Sequence, residues 1–194
     1  LTHRIANMIY SGTAQPHEIL SVTFTNKAAG EMRERIKRIL GADRSHVNMG
    51  TFHSICARIL RREALYIGYE QSFSIYDDED GQKVVKKIMK DLQISIDVIK
   101  PNSVFYNMKQ FKSQMIFPAE ATDLAMSTFD DTVAKIYGIY QSELKNSSAM
   151  DFDDLLLKPL ELFEKNPHIL KKYQDQFRFI MVDECQDTNK AQFQ

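Results

Sequence analysis

The stretch that most constrains the fold is residues 177–182, Phe-Arg-Phe-Ile-Met-Val, which are followed at once by Asp183 and Glu184. A short run of apolar, aromatic and branched residues predicts a strand buried on both faces, as in a parallel sheet covered by helices. Carboxylates at the carboxyl end of such a strand lie where open α/β sheets bind their ligands. Because an unpaired buried carboxylate is costly, we expect a compensating partner, and a divalent metal on a nucleotide phosphate is the natural candidate.

Asp183 and Glu184 can divide the chemistry of such a site, because successive side chains of a strand point in different directions. One carboxylate would hold Mg²⁺, and the other would orient or deprotonate an attacking water. The plain alternative is a strand end whose two carboxylates cap the next helix. Asp-Glu pairs are common, so the pair alone leaves both interpretations open.

Composition limits the class of protein. The chain has 194 residues, 43% hydrophobic and 26% charged, which is typical of a globular protein with a real core. We expect neither a signal peptide nor a membrane span, because no apolar stretch of these residues approaches the roughly 18 residues that a span requires. Two distant cysteines, Cys56 and Cys185, form neither a disulfide framework nor a zinc site, so we expect a reducing, cytoplasmic setting. With a formal charge of −1, any nucleic-acid binding must depend on a local surface.

Two further strands are predicted early in the chain, at residues 19–24 and 47–52. Each ends in a Thr-Phe pair followed by polar residues that begin a helix. Two such ends side by side would offer aromatic faces and hydrogen-bond donors, which suit stacked bases and phosphates. A lone histidine in the place of His53 is usually structural, and most charges of the helix after residue 25 are interpreted as a solvated face. Lys27 differs because it stands at the junction of strand and helix.

Strand signals are absent from residues 70–148, where amphipathic helical stripes take over. These stripes are rich in methionine, and we interpret them as core rather than as a cofactor site. A helix then begins with Asp151, Asp153 and Asp154, whose negative charge complements the helix dipole, and that explanation is sufficient for them. The predicted division of the chain is 1–69, 70–148 and 149–194.

Four segments resemble motifs of one family, the UvrD/PcrA/Rep group of superfamily 1 DNA helicases. They are residues 22–29 with Glu31 and Met32 (motif Ia), residues 50–54 with Arg61 and Arg62 downstream (motif Ib), residues 150–155 (the segment after the helical subdomain) and residues 182–189 (motif II, the Walker B region). The matches follow the family's order and spacing and cover essentially the whole chain. Together they are highly specific.

The resemblance implies an α/β fold: a partial RecA-like P-loop NTPase domain (1A), a parallel sheet flanked by helices, interrupted by an all-helical subdomain (1B). It implies ATP and Mg²⁺ as cofactors, with Asp183 as the metal ligand and Glu184 as the residue that activates the attacking water. It places Gln186 and Asp187 at the nucleotide, Gln186 also coupling that site to DNA. Single-stranded DNA and single/double-strand junctions are the implied partners. The residues implied to line the DNA path are Phe24, Thr25, Asn26, Lys27, Thr51, Phe52 and His53.

The chain departs from the family pattern in three ways. The phosphate-binding loop G-x-x-x-x-G-K-[ST] is absent, and residues 1–6 look like the helix that follows it. The motifs beyond motif II, including a second RecA-like domain and its arginine fingers, are also missing, so we expect a fragment that is inactive alone. Cys185 stands where the family usually has Phe or Tyr, which puts in doubt the packing or coupling of that ring but not the carboxylates.

The leading hypothesis is an ATP-driven translocase that unwinds DNA in repair or replication. One alternative is the motor of an AddA/RecB-like helicase-nuclease, but those typically have longer insertions than residues 70–148. Another is a non-catalytic protein-binding scaffold of the same fold, which the intact Asp183-Glu184 pair and both Thr-Phe strand ends argue against. Accessory repair or replication proteins cannot be identified from the sequence.

Overall fold

The computed structural model describes residues 1–41 and 46–193. The chain divides into two compact units. The first contains residues 1–59 and 161–188, and the second contains residues 60–160 together with those after residue 188. The domain boundaries predicted from the sequence, after residues 69 and 148, stay a prediction.

The described residues form the following elements. The strands are β1 (Ile19–Thr23), β2 (Asn48–Thr51), β3 (Ser74–Tyr76), β4 (Ala149–Asp151) and β5 (Phe179–Val182). The α-helices are α1 (Thr2–Tyr10), α2 (Asn26–Leu40), α3 (Phe52–Glu63), α4 (Asp78–Asp91), α5 (Pro101–Ser113), α6 (Pro118–Asp123), α7 (Thr128–Asn146), α8 (Phe152–Lys165), α9 (Pro167–Gln176) and α10 (Lys190–Phe193). Over this part of the chain, no helix combines the length and the apolar character that crossing a membrane requires.

The first unit is built around a parallel sheet in the strand order β2-β1-β5. Strand β1 is central, and all of its residues are buried. Its residue Val22 lies opposite Gly50 of β2 on one side and opposite Val182 of β5 on the other. The α/β class and the parallel sheet flanked by helices, both predicted from the sequence, are confirmed.

Helix α2 covers one face of this sheet, and its ends follow from its sequence. The Thr25 side chain caps the N-terminus, since its Oγ1 accepts a hydrogen bond from the Ala28 amide at 3.1 Å. The helix ends at Gly41, whose φ of +80° lies in a region that favours glycine. The core on this face consists of Ile5, Ile9, Ala14, Ile19, Met32, Ile36, Met49 and Met181. Each large aliphatic side chain buried here contributes roughly 1.5–3 kcal/mol.

Strand β5 was predicted to be buried on both faces, and for Ile180 that prediction is wrong. Among the described strands β5 lies at the edge of the sheet, and Ile180 is 64% exposed. Met181, on the opposite face of the pleat, is buried in the core. A cavity of about 710 Å³, lined in part by Arg4, Met8 and Ile180, lies along the strand. The apolar composition of a strand cannot show how many of its faces are covered.

The second unit is mainly helical, with α4, α5 and α7 packed on one another and α6 packed on α7. Its core includes Val85, Ile88, Met89, Val104, Met108, Val133, Ile136, Tyr137, Tyr140 and Leu144. The prediction that the methionine-rich stripes form core is confirmed. The segment 70–148 also contains β3, which pairs in parallel with β4. The sequence did not predict this strand because three residues are too short to show an alternation.

Candidate functional site

The strand ends that carry the predicted site residues meet at one edge of the sheet. Strands β1, β2 and β5 are parallel, so their carboxyl ends lie together, where open α/β sheets bind ligands. Thr23 lies opposite Thr51. The Asp183 amide donates a hydrogen bond to the Val22 carbonyl oxygen at 2.9 Å, which extends the pairing of β5 by one residue. We call this region, with the residues that follow the three strands, the strand edge.

The turn after β5 is tightly hydrogen-bonded. Glu184 has φ +51° and ψ +46°, a left-handed conformation that is uncommon for a residue with a side chain. The Asp187 amide donates to the Glu184 carbonyl oxygen at 2.9 Å. Both the amide and the hydroxyl of Thr188 donate to the Cys185 carbonyl oxygen, at 3.2 and 2.7 Å. Strained backbone of this kind clusters at functional sites, where the surrounding structure maintains it.

The carboxylates of this turn are accessible. Asp183 is half-buried, and Glu184 and Asp187 are exposed. Within residues 1–41 and 46–193, no lysine, arginine or histidine forms an ion pair with Asp183 or Glu184. The side chain of Gln186 donates from Nε2 to Glu184 Oε2 at 2.6 Å. The pair therefore has negative charge that the described residues do not neutralise.

A cavity of about 200 Å³ adjoins Asp183 and is lined by Thr2, Glu31, Met32 and Arg35 among others. In the described part of the chain, no group of three or more His, Cys, Asp or Glu side chains is arranged to hold a metal. Mg²⁺ is usually bound by one or two carboxylates together with waters and substrate phosphates. The accessible oxygens of Asp183 fit that type of site and not a metal site made by protein alone.

Two aromatic rings lie on the other part of the strand edge. The rings of Phe24, after β1, and Phe52, after β2, have centroids 5.5 Å apart and planes tilted by 57°. Both residues are half-buried. His53 is also half-buried, and burial lowers the pKa of its imidazole below the ordinary value of 6.5. The repeated Thr-Phe pattern thus brings two rings into contact, because the strands that precede them are neighbours.

The polar residues predicted to bind DNA differ in how accessible they are. Asn26 and Lys27 are exposed at the start of α2. Thr25 is also exposed, but its hydroxyl caps α2. Thr51 is buried, and its Oγ1 accepts a hydrogen bond from the Ser54 amide at 3.2 Å, at the start of α3. The side-chain oxygens of both threonines therefore fix helix starts, which leaves Asn26 and Lys27 as the freely exposed polar groups of this set.

Among the residues that the structure describes, the most deeply buried group of charged side chains lies outside the strand edge, in the second unit. Lys112 of α5 donates from Nζ to Asp151 Oδ2 at 2.6 Å and to Asp154 Oδ1 at 2.9 Å. Tyr140 donates from its hydroxyl to Asp151 Oδ2 at 3.0 Å, and Gln141 donates from Nε2 to Asp154 Oδ1 at 3.0 Å. We call Lys112, Asp151 and Asp154 the buried ion cluster.

The sequence interpretation missed this cluster, since it assigned both aspartates to the helix dipole alone. They do cap α8: the Asp154 amide donates to Asp151 Oδ1 at 2.9 Å, and the Asp151 amide donates to Asp154 Oδ2 at 3.3 Å. Burial raises the pKa of Asp154. At Asp151 burial acts in the same direction, but the charge of Lys112 and the hydrogen bonds from Lys112, the Asp154 amide and Tyr140 together outweigh it and hold the pKa below the ordinary range. The available signal was the position of Lys112, four residues after Met108 on an apolar helix face.

Comparison with known proteins gives a consistent result. A family model described as the UvrD/REP helicase N-terminal domain matches residues 1–194. The chain is 42% identical over 193 residues to the ATP-dependent DNA helicase PcrA of Staphylococcus aureus strain Mu50. It is 40% identical over 193 residues to PcrA of Bacillus subtilis strain 168, and 40% identical over 194 residues to PcrA of Leuconostoc citreum. Each alignment covers 100% of this chain and 26% of the relative, so the chain spans about a quarter of their length.

Proposed function

Because the chain belongs to the UvrD/REP helicase N-terminal domain family, we propose that it forms the ATP-hydrolysing and strand-contacting part of an ATP-dependent DNA helicase. The resemblance read from its motifs is confirmed by the family match. We propose further that the whole helicase moves on single-stranded DNA and unwinds duplex DNA in repair or replication. The observation that carries the proposal is the strand edge, which places an accessible Asp183-Glu184 pair and the Phe24-Phe52 ring pair on one parallel sheet.

The carboxylates supply the hydrolytic half of the proposal. Bound ATP·Mg²⁺ provides the γ-phosphoryl group and the metal charge that stabilises its transfer. Asp183 would hold the Mg²⁺, since its oxygens have no cationic partner among the described residues. Glu184 would take the proton of the attacking water, and general-base assistance of this kind is typically worth about 10²–10⁴-fold in rate. Asp187, in the same turn, would lie on the side of the nucleotide.

The rings and the helix starts supply the strand-contacting half. Phe24 and Phe52 offer aromatic faces that accept any base, so binding should be selective for single strands and tolerant of sequence. Asn26 and Lys27 are exposed at the N-terminus of α2, where backbone amides and the helix dipole favour phosphate oxygens. We also propose that Thr25, Thr51 and His53 line the same path of the single-stranded DNA.

The organisation of the whole helicase is also proposed. Residues 1–69 and 149–194 would belong to the RecA-like domain 1A, and residues 70–148 would form subdomain 1B. The chain spans 26% of its PcrA relatives, so a phosphate-binding loop and a second motor domain would come from the remainder of the helicase. We place the protein in the cytoplasm, acting at single/double-strand junctions. The 194 residues alone should show no measurable ATPase, because they lack a backbone nest and lysine for the β- and γ-phosphates.

The test is steady-state ATP turnover by the whole helicase, titrated separately with single-stranded and blunt duplex DNA. We expect turnover to rise strongly with single strands and little with blunt duplex. The isolated 194-residue chain, measured in parallel, should hydrolyse ATP no faster than buffer without protein. The proposal would be contradicted if adding DNA did not change ATP turnover by the whole helicase, or if DNA stimulated turnover by the purified 194-residue chain.

A further inference from the structure

The side chain of Glu184 needs a restraint to act as a base. It is exposed, and a glutamate has three rotatable bonds between its backbone and its carboxylate. A base must be held within hydrogen-bond reach of the proton that it removes. The left-handed backbone of Glu184 fixes where its side chain begins but not where its carboxylate ends.

Gln186 supplies that restraint. Its Nε2 donates a hydrogen bond of 2.6 Å to Glu184 Oε2, and within the described residues no other side chain bonds to the Glu184 carboxylate. A hydrogen bond to an ionised acceptor is about twice as strong as one between neutral groups. The bond occupies only one of the two oxygens, so Oε1 stays free to accept a proton from water.

The backbone that carries Gln186 is held in place by hydrogen bonds within its turn. Gln186 lies in the 3₁₀ turn Cys185–Asp187. The amide of Asp187, at the end of this turn, donates a hydrogen bond to the carbonyl oxygen of Glu184, just before its start. Thr188 closes the other end through its two hydrogen bonds to the Cys185 carbonyl oxygen. The Gln186 side chain therefore starts from backbone that is bonded on both sides.

We infer that Gln186 is a positioning residue, which acts on hydrolysis by holding the Glu184 carboxylate rather than by binding the nucleotide directly. The inference rests on the proposed function, because it requires Glu184 to be the base. It also changes the role that the sequence alone suggested for Gln186. A nucleotide contact would alter ATP affinity, whereas a positioning contact alters the rate of hydrolysis at unchanged affinity.

The test is a double-mutant cycle in the whole helicase, using single-turnover ATP hydrolysis in the presence of saturating single-stranded DNA. Gln186→Ala should slow hydrolysis about tenfold, the scale of one hydrogen bond to a charged group. Gln186→Glu, which keeps the size but replaces the donor with a repelling carboxylate, should slow it at least as much. In the Glu184→Gln background, Gln186→Ala should have no further effect, because the group that it positions is gone.

Two further measurements and one control variant accompany the double-mutant cycle. Affinity for a fluorescent ATP analogue with Mg²⁺ should stay within about twofold in Gln186→Ala, as expected for loss of a transition-state contact alone. Thermal melting should be unchanged in both Gln186 variants. Gln174→Ala, an exposed glutamine on α9, serves as the control and should match the wild type in every assay.

Failure of the inference differs from failure of the proposed function. Equal slowing by Gln186→Ala in the wild-type and Glu184→Gln backgrounds, or a large loss of nucleotide affinity, would overturn the positioning role and leave the helicase proposal standing. If Glu184→Gln itself did not slow hydrolysis, the proposed function of the carboxylates would be wrong, and the positioning role would fall with it.

Discussion

Two acidic pairs in this molecule have the same chemistry and opposite surroundings. Asp151 and Asp154 belong to the buried ion cluster, where their side chains are 9% and 1% exposed and Lys112 bonds to both. Asp183 and Glu184 lie at the strand edge, accessible and without a cationic partner among the described residues. An acidic pair that finds its cation within the chain has a structural explanation, and one that does not is a candidate for an external cation.

The buried ion cluster shows how completely such a pair can be satisfied. Lys112, Tyr140, Gln141 and the backbone amides of the α8 cap together donate to both carboxylates. No buried side-chain nitrogen or oxygen in the described residues lacks a hydrogen-bond partner. A buried ion pair gives little net stability over apolar residues of the same size, but removing one partner leaves an uncompensated buried charge. The cluster is therefore sensitive to single substitutions.

The largest expected effect comes from breaking the cluster with Lys112→Met. This change keeps a long side chain in the core and leaves two buried carboxylates without their cation. We expect a loss of roughly 3–5 kcal/mol in the free energy of unfolding. Urea denaturation of wild type and variant at pH 7 measures it.

The matched control is Lys109→Met, three residues away on the same helix. Lys109 pairs with Asp78 at 2.8 Å, but their side chains are 35% and 63% exposed. An exposed pair contributes at most about 1 kcal/mol, so this variant should remain close to wild type. Similar losses in the two lysine variants would show that burial does not distinguish the two kinds of acidic pair.

A smaller effect is expected from Phe24→Ala at the strand edge. If Phe24 stacks on bases, affinity of the whole helicase for single-stranded DNA should fall about tenfold or more, since stacking is worth roughly 1–3 kcal/mol. DNA-stimulated ATPase should fall with it, and basal ATPase should not change. Fluorescence anisotropy with a labelled oligonucleotide measures the DNA affinity, ATP turnover with and without DNA measures the two ATPase rates, and thermal melting measures the stability of the variant.

The exposed ring of Tyr10, at the end of α1, provides the control for Phe24, and Tyr10→Ala should leave DNA affinity unchanged. Phe24 is only half-buried against Phe52, which favours the binding role over a core role. If Phe24 were a core ring, its loss would cost about 3–5 kcal/mol of stability. A large drop in melting temperature with unchanged affinity in the folded fraction would contradict the contact with DNA.

The smallest expected effect is the pH dependence due to His53. Burial lowers the pKa of His53 in the folded state, so folding favours the neutral imidazole. Its contribution to stability is complete above the unfolded pKa of about 6.5 and is lost as the pH falls below that value. Melting temperature measured from pH 7.5 to 5.5 should therefore fall more in wild type than in His53→Gln. Parallel curves would show that His53 ionises equally in both states.

The sequence predicted the sheet and the helical core well because their signals are local. Strand β1 has Ile19, Leu20 and Val22 among its five residues, and Met89 and Met108 lie on helical stripes that the structure buries. The exposure of Ile180 and the pairing of β3 with β4 depend on which elements cover a strand, and sequence patterns do not report that. The buried ion cluster joins Lys112 to residues about forty positions away, so only the tertiary fold reveals that Asp151 and Asp154 have a cation.

The most direct measurement of the central claim compares Glu184→Gln with Asp183→Asn in the whole helicase, by single-turnover hydrolysis and by binding of ATP with Mg²⁺. We predict that Glu184→Gln binds ATP·Mg²⁺ nearly as tightly as wild type while hydrolysing it about 10²–10⁴-fold more slowly. Asp183→Asn should instead lose Mg²⁺-dependent affinity, because it removes the oxygen that holds the metal. If both variants lost affinity equally, with hydrolysis falling in parallel, the division of roles between the two accessible carboxylates would be wrong.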